Sequence, residues 1–215
     1  MKSKKIYSFI GLIAPLYDLC LYFIGYKKSV DYFISQLPFT KESSITVLDA
    51  GCGIGLYSLA ILKKYKNARV TSFDFSDKLV GHLKEKALKN KYNNRVHLFT
   101  ADIQSALKEI GDEKFNLIIT SGVLEYVPQE KTLKNLSRFL ISGGYFLNSP
   151  VRDTLWGELV CKLYACKPYS RTQNIQAFEH NNFTLQKIIK LPWYAPASFK
   201  EAHLFMYFKT AHLTK

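Results

Sequence analysis

The stretch VLDAGCGIGLYSLA, residues Val47–Ala60, places three glycines within five positions, between an apolar run and a helical pattern. Glycine lets the backbone take left-handed conformations and lets another molecule approach the chain closely. A tight connection between a strand and a helix usually needs only one glycine. Three of them, followed by the free N–H groups at a helix start, indicate that a ligand lies on this turn.

Short apolar runs alternate with helical patterns on both sides of this stretch. Strands are predicted over residues 45–50, 69–74, 96–100, 115–120 and 145–148, and helices over 56–65, 77–91, 103–110 and 129–141. Such alternation is typical of an α/β fold, in which helices cover both faces of a doubly wound parallel sheet. Ligands of such sheets bind at the carboxyl ends of the strands, where the glycine turn is predicted to lie.

The composition is that of an ordinary globular chain of 215 residues, 47% hydrophobic and 22% charged. Its net charge of +13 is spread out, with +3 from residues 1–44, +5 from 45–150 and +5 from 151–215. A lysine-rich solvated surface therefore explains the charge better than a dedicated nucleic-acid footprint. The four cysteines form no CxxC pair and no zinc-site spacing, which predicts reduced thiols, a cytoplasmic location and no metal.

The order of the glycines separates two cofactor classes. A dinucleotide fingerprint, G-x-G-x-x-G, needs a third glycine where Leu56 stands, which argues against NAD. The segment Asp49-Ala50-Gly51-Cys52-Gly53-Ile54-Gly55 fits D-x-G-x-G-x-G and resembles motif I of class I S-adenosylmethionine (SAM) dependent methyltransferases. The resemblance implies a Rossmann-like sheet of about seven strands, mostly parallel with an antiparallel last strand. It also implies SAM as the cofactor and S-adenosylhomocysteine as the product, with Asp49, Gly51, Cys52, Gly53 and Gly55 at the cofactor.

The resemblance continues through residues 45–150 at the ends of the next strands. Asp74 follows the second strand, where a carboxylate can accept hydrogen bonds from both ribose hydroxyls, and Phe75 stands beside it. Asp102 and Ile103 follow the third strand, where the family usually holds adenine. Ser121 ends the fourth strand as a further cofactor residue.

Two residues of the loop after the fourth strand, Glu125 and Tyr126 in SGVLEYVP, are the candidates for contact with the acceptor. Transfer from SAM depends mainly on positioning and on exclusion of water. A general base is needed only if the acceptor must lose a proton. Glu125 could equally be an ordinary carboxylate at a helix entry.

Residues 1–44 are predicted to form a helical arm. Pro15 and Asp18 interrupt its apolar run and no signal-peptide cleavage site follows, so no transmembrane helix is predicted. The segment IAPLYDLCLYFIGYKK, residues 13–28, resembles the arm of methyltransferases that act on lipid-like quinones and phospholipids. That resemblance makes Tyr17 a candidate for the cofactor pocket and Asp18 a weaker one. The arm is interpreted as a lid over SAM, with contact to a membrane surface as the alternative.

The remaining residues, 45–215, are predicted to form the methyltransferase domain, with residues 151–182 as a helical cap over the acceptor site. An apolar stripe in this cap either packs on the core or roofs a pocket together with Trp193 and Tyr194; it consists of Leu155, Trp156, Leu159, Val160, Leu163 and Tyr164. Such a pocket suits a small, apolar or aromatic, lipid-like acceptor.

Two other functions stay open from the sequence. The charge favours an RNA methyltransferase, but Ser121-Gly122-Val123-Leu124 stands where family members that methylate glutamine or adenine nitrogen carry Asn/Asp-Pro-Pro-Tyr/Phe. Nucleic acid is therefore not the expected partner. A SAM-binding module without catalysis is the second alternative, and a blocked acceptor cavity would be its sign.

Overall fold

Seven strands form one sheet in the computed structural model, which describes residues 14–23, 25–164, 166, 168–195 and 200–208. The strands are β1 (Thr46–Ala50), β2 (Arg69–Asp74), β3 (Val96–Thr100), β4 (Phe115–Ser121), β5 (Leu140–Ser149), β6 (Phe183–Lys190) and β7 (Glu201–Tyr207). Their order is β3-β2-β1-β4-β5-β7-β6, and β7 runs antiparallel to both of its neighbours. The predicted fold class is confirmed, including the antiparallel last strand.

The described helices connect and cover these strands. They are α1 (Ala14–Phe23), α2 (Tyr26–Ser35), α3 (Leu56–Lys64), α4 (Asp77–Lys89), α5 (Leu107–Ile110), α6 (Gln129–Ser137), α7 (Leu155–Tyr164) and α8 (Arg171–Glu179), with single 3₁₀ turns at Asn93–Arg95 and Leu124–Tyr126. None of the helices in the described ranges is long and apolar enough to cross a bilayer.

The two faces of the sheet carry separate hydrophobic cores because neighbouring strand residues point to opposite sides. On one face, Val47 and Leu117 pack with α3 and with the buried side of α2, which includes Phe33 and Ile34. On the other face, Leu48 and the side chains around it pack with α6 and α8. The second helix of the predicted arm is thus part of the main core.

Two predicted helices are shorter in the structure than the sequence pattern suggests. The helix predicted over 129–141 ends at Ser137, because β5 begins at Leu140 and the Phe115 N–H donates to the Phe139 carbonyl at 2.8 Å. The helix predicted over 103–110 is reduced to α5, because the Asp102 carboxylate accepts from the Gln104 N–H at 3.1 Å and forms a local turn there.

Candidate active site

The glycine turn lies between β1 and α3, at the carboxyl edge of the sheet. Gly51, Gly53 and Gly55 all have left-handed backbones, with φ of 79°, 54° and 80°. The N–H groups of Gly51 and Cys52 both donate to the Phe73 carbonyl at 2.9 Å, which ties the turn to β2. The sequence therefore needs glycine here for the backbone conformation itself.

The three glycines differ in what surrounds them. A Cβ on Gly51 would come within 2.5 Å of Val123 Cγ2, and one on Gly55 within 2.2 Å of Leu83 Cδ1. A Cβ on Gly53 would meet no atom within 4 Å. Gly51 and Gly55 are thus confined by the protein, whereas Gly53 faces open space, where a ligand can approach the backbone.

Asp74 joins the turn from the end of β2. Its Oδ2 accepts from the Gly53 N–H at 2.9 Å and its Oδ1 from the Ser76 N–H at 3.0 Å. Burial raises the pKa of this carboxyl, and the backbone hydrogen bonds oppose that effect. Each oxygen keeps a further lone pair, so the carboxylate can still accept hydrogen bonds from a diol.

Asp49 lies beneath the turn and is almost fully buried. Its Oδ2 accepts from both the N–H and the hydroxyl of Ser58, and Ser58 Oγ lies 2.8 Å from Ser72 Oγ. Burial raises the pKa of Asp49 to about 6, although the Ser58 hydrogen bonds lower it. Its hydrogen bonds fasten β1 to α3, so Asp49 supports the turn from the side of the core.

The other predicted cofactor residues surround the turn more loosely. Phe75 is partly exposed next to Asp74, and Cys52 is half-buried, with a thiol pKa that burial raises. Asp102 and Ile103 follow β3 and are half-buried, with Ile103 packed against the core. These positions agree with the predicted arrangement along the carboxyl edge, and their roles toward a cofactor stay predictions.

A group of hydroxyls lies at the ends of β4 and β5, where Ser121 pairs in register with Ser149. The Tyr26 hydroxyl, at the start of α2, is 3.1 Å from Ser121 Oγ. The Tyr57 hydroxyl, from α3, is buried and has no hydrogen-bond partner within standard distance. The pKa of Tyr57 is raised, first by burial and next by the neighbouring Tyr26. The sequence analysis did not identify Tyr26 or Tyr57.

Glu125 lies in the 3₁₀ turn after β4 and is 8% exposed. Its Oε1 accepts from the Val151 N–H at 2.8 Å, whereas its Oε2 is buried without a hydrogen-bond partner. Tyr126 closes the same turn through its N–H to the Val123 carbonyl at 3.1 Å, and it is half-buried.

Lys200 is a second buried charge at this edge, 6% exposed. Its Nζ donates to the Ser149 carbonyl at 2.9 Å and lies 3.4 Å from the position of a Cβ on Gly122. Burial and the neighbouring Cys166 raise the pKa of the Cys161 thiol on α7. Glu125 and Lys200 reach the same short segment of backbone, at the Val151 N–H and at the Ser149 carbonyl.

An ion-pair network adjoins these residues at the start of β7. The Glu201 carboxylate accepts from Arg171 at 2.7 and 3.0 Å and from His203 Nε2 at 2.7 Å, and Arg152 lies 3.5 Å away. Burial would raise the pKa of Glu201, but the hydrogen bonds from His203 and Arg171 outweigh it and hold the pKa at about 2. This network fixes α8 to β7.

The arm and the cap are described only in part. Tyr17 and Asp18 lie on α1 with side chains outside the described set, so Tyr17 stays a predicted cofactor residue. The side chains of Trp156, Val160, Leu163 and Tyr164 are also outside it. Leu155 and Trp193 are 86% and 88% exposed, so neither packs in the core, and Leu159 and Tyr194 are exposed as well.

Sequence reasoning missed Tyr26, Val123 and Lys200. Tyr26 and Val123 stand within the segments 13–28 and SGVLEYVP, but no pattern in those segments marks them as site residues, and each of the three reaches the site through the packing of its element. Val123 closes over Gly51, and Lys200 enters only because β7 inserts beside β5. A buried lysine just before an apolar strand gave no distinguishing signal.

The sheet order and the glycine turn with acids at successive strand ends define the Rossmann-like fold of class I SAM-dependent methyltransferases. Residues 41–200 match the methyltransferase domain family, and the chain belongs to that family. The predicted family is confirmed, and so is SAM as the cofactor that this family implies.

Three curated relatives show how far the similarity extends. Malonyl-[acyl-carrier protein] O-methyltransferase 2 of Ilyobacter polytropus is 28% identical over 59% of this chain and 47% of its own length. The tRNA N(3)-methylcytidine methyltransferase trm141 of Schizosaccharomyces pombe is 31% identical over 48% of this chain and 43% of its own. The magnesium-protoporphyrin O-methyltransferase of Synechocystis is 27% identical over 77% and 70%. The chain thus spans less than half the length of the first two.

A solved structure shows the same fold at low identity. Geranyl diphosphate C-methyltransferase of Streptomyces coelicolor, in complex with Mg²⁺, geranyl-S-thiolodiphosphate and S-adenosylhomocysteine, superposes with a TM-score of 0.66. The two chains are 15% identical over 83% of this chain and 74% of the other.

Proposed function

We propose that this chain transfers a methyl group from SAM to a small-molecule acceptor. The observation that carries the proposal is the turn at Gly53, which is left-handed, open on its outer side and hydrogen-bonded to Asp74. Bound SAM supplies a methyl group on a positively charged sulfur. The residues of the chain have to position that group beside the acceptor and exclude water.

The predicted cofactor residues have separate tasks in this proposal. Asp74 accepts the ribose hydroxyls with its remaining lone pairs, and Asp102 and Ile103 border the adenine beyond β3. The glycine turn and Ser121 line the methionine part. Asp49 supports the turn through Ser58, because its Oδ2 already accepts hydrogen bonds from the N–H and the hydroxyl of that residue.

The acceptor is proposed to be small and lipid-like. Malonyl-[acyl-carrier protein] and magnesium-protoporphyrin O-methyltransferases among the relatives, and the geranyl diphosphate enzyme among the folds, support a small acceptor. The exposed Leu155, Leu159, Trp193 and Tyr194 beside the carboxyl edge support an apolar one.

Peripheral contact with an anionic membrane is the alternative role for α1, beside that of a lid over SAM. The exposed side chains of Leu16, Leu19, Tyr22 and Phe23 on α1 are followed by lysines at 27 and 28, a pattern that suits an anionic lipid surface.

The described free thiols of Cys52, Cys161 and Cys166 fit a reducing, cytoplasmic compartment.

Methylation of RNA is the second candidate. The tRNA-methylating relative and the net charge of +13 favour it. An RNA methyltransferase would bind RNA with steep salt dependence, because binding to phosphates releases counterions. A small-molecule enzyme of the same charge would incorporate no methyl label into RNA.

Calorimetry with SAM and S-adenosylhomocysteine tests the proposal directly. We expect micromolar binding to the wild-type chain and a loss of about 1.5 to 3 kcal/mol in Asp74→Ala, because a charge-assisted pair of hydrogen bonds is removed. Asp77→Ala is the matched control, since Asp77 is exposed three residues further along. Unchanged affinity in Asp74→Ala would remove Asp74 from the site, and binding of NAD instead of SAM would overturn the proposal.

A further inference from the structure

We infer that the acceptor atom is the oxygen of a hydroxyl group, phenolic or enolic, held between the carboxylate of Glu125 and the ammonium of Lys200. The inference rests on the proposed methyl transfer and adds the chemical class of the acceptor. Two buried charges carry it, and the described residues leave part of their hydrogen-bonding capacity to a ligand.

Glu125 and Lys200 converge on one short segment, Ser149–Val151, at the end of β5. Glu125 accepts from the Val151 N–H, while Lys200 donates to the Ser149 carbonyl. The backbones of Val151 and Lys200 also pair directly as an isolated antiparallel bridge. The two side chains thus approach the same point from the loop after β4 and from the start of β7.

Among the residues that the structure describes, both charges keep hydrogen-bonding capacity for a ligand. Glu125 Oε2 is buried without a hydrogen-bond partner. An ammonium has three N–H donors, and within the described ranges the Ser149 carbonyl occupies one of those on Lys200. An unfilled hydrogen bond to a buried charge is costly, so a ligand that fills both positions gains an advantage.

The chemistry of the two groups selects the ligand. A hydroxyl donates one hydrogen bond and accepts others, so it can donate to Glu125 and accept from Lys200 at once. A carboxylate acceptor is already ionised and would be repelled by Glu125. A protonated amine would be repelled by Lys200 and has no lone pair to offer it.

The transfer step balances with these two residues. The hydroxyl proton passes to Oε2 of Glu125 while the oxygen forms its bond to the methyl carbon. The electron pair of the carbon–sulfur bond stays on sulfur, which leaves neutral S-adenosylhomocysteine. The Lys200 ammonium stabilises the negative charge that develops on the oxygen.

The first experiment compares heteroatoms on one ring. Wild-type protein with tritiated SAM is given 4-methylphenol, 4-nitrophenol, 4-methylbenzylamine and 4-methylbenzoate, and the methylated product is identified by mass spectrometry. The benzylamine is protonated and the benzoate ionised near neutral pH, so we expect methylation only of the phenols, on oxygen. If the benzoate or the benzylamine is methylated instead, or none of the phenols is, the inference is overturned.

The second experiment separates base catalysis from loss of structure. Glu125→Gln should lower kcat for 4-methylphenol by about a hundredfold or more. It should lower kcat much less for 4-nitrophenol, a stronger acid that loses its proton more easily, when both are measured at a pH where this phenol is still protonated. An equal loss with both phenols would exclude Glu125 as the base. Glu130→Gln is the matched control, because Glu130 is an exposed carboxylate on α6.

The third experiment measures binding without turnover. With S-adenosylhomocysteine present, 4-methylphenol should bind wild-type protein about tenfold more tightly than its methyl ether, 4-methylanisole, because only the phenol can donate to Glu125. The difference should vanish in Glu125→Gln. If the Lys200→Met protein binds both ligands as tightly as wild type does, Lys200 does not contact the oxygen. Lys200→Arg, which keeps the charge, should restore part of the affinity that Lys200→Met loses.

Calorimetry of S-adenosylhomocysteine with each variant distinguishes a failure of the hydroxyl assignment from a failure of the proposed function. If cofactor binding is retained and the phenol results fail, the hydroxyl assignment is wrong and the methyltransferase proposal stands. If wild-type protein does not bind the cofactor, the proposed function itself is wrong.

Discussion

Gly53 combines a left-handed backbone with open space on the side where a side chain would project. We predict that Gly53→Val abolishes SAM binding and leaves the chain folded, because the valine blocks the close approach while its Cβ meets no protein atom within 4 Å. Circular dichroism reports the fold and calorimetry the affinity.

The matched control for this variant is Gly111→Val. Gly111 has a similar φ of 64° and its Cβ would also meet nothing within 4 Å, but it lies in the loop before β4, away from the glycine turn. The Gly111→Val protein should also lose stability through backbone strain, since Gly111 has φ of 64° and ψ of −131°, but it should keep its SAM affinity. Normal affinity in a folded Gly53→Val protein would mean that the turn is structural only.

The arm contains two helices with different attachments. The side chains of Val30, Phe33 and Ile34 on α2 are almost fully buried in the core, whereas Leu16 and Phe23 on α1 are exposed. Gly25, with a left-handed φ of 71°, separates the two helices. A movable lid therefore has to end at Gly25, and α2 has to stay with the sheet.

We predict that deleting residues 1–24 weakens SAM binding and abolishes turnover while the sheet stays folded. In the full chain, limited proteolysis should cut the arm readily without SAM and slowly with it, because ordering withdraws the backbone from the protease. Protection that does not depend on SAM would exclude the lid.

The same deletion tests the membrane alternative. If α1 serves a lipid surface, the shortened chain should bind SAM normally but no longer sediment with vesicles of anionic phospholipid. Deleting residues 1–35 is the contrast: it also removes the buried face of α2 and should destabilise the fold by several kcal/mol.

The elements that the sequence predicted well are those with a local signal. The β2 and β3 boundaries agree with their apolar runs, and the glycines of the first turn mark its position without any tertiary information. The contact between Tyr26 and Ser121 spans 95 residues and depends on how α2 packs across the sheet. No local pattern encodes such a contact, which is why Tyr26 could not be identified from the sequence.

The stability of the whole molecule should depend on Glu201 in acid. Its pKa is about 2 in the folded chain against 4.5 ordinarily, so it stabilises the fold above about pH 4.5. This contribution, about 3 kcal/mol, is lost as the pH falls from about 4.5 to about 2. The pH dependence that Asp49 contributes has the opposite sign. Because its pKa is raised to about 6 in the folded chain, the fold gains stability as the pH falls below about 6.

Because the two effects overlap, the prediction concerns a difference between proteins. Urea unfolding of wild-type and Glu201→Gln protein should differ by about 3 kcal/mol near neutral pH, and the difference should shrink below about pH 4.5 and vanish as the pH approaches about 2. Glu130→Gln removes an exposed carboxylate beside His180 and should change little at any pH. A gap between wild type and Glu201→Gln that stays constant in acid would contradict the assigned pKa.

The position of β7 has a consequence for how the chain folds. β6 precedes β7 in the sequence, yet it joins the sheet only through β7, which lies between it and β5. β6 and β7 are neighbours in sequence and can pair with each other, but they reach β5 only across the segment that carries α7 and α8. The β1–β4 and β5–β7 pairings join residues far apart along the chain and form slowly, so β1, β2 and β3, whose mutual pairings are more local, should acquire amide protection first in a refolding experiment. Until β7 docks, β5 presents an open edge to other unfinished chains, and the yield of refolding should fall as protein concentration rises.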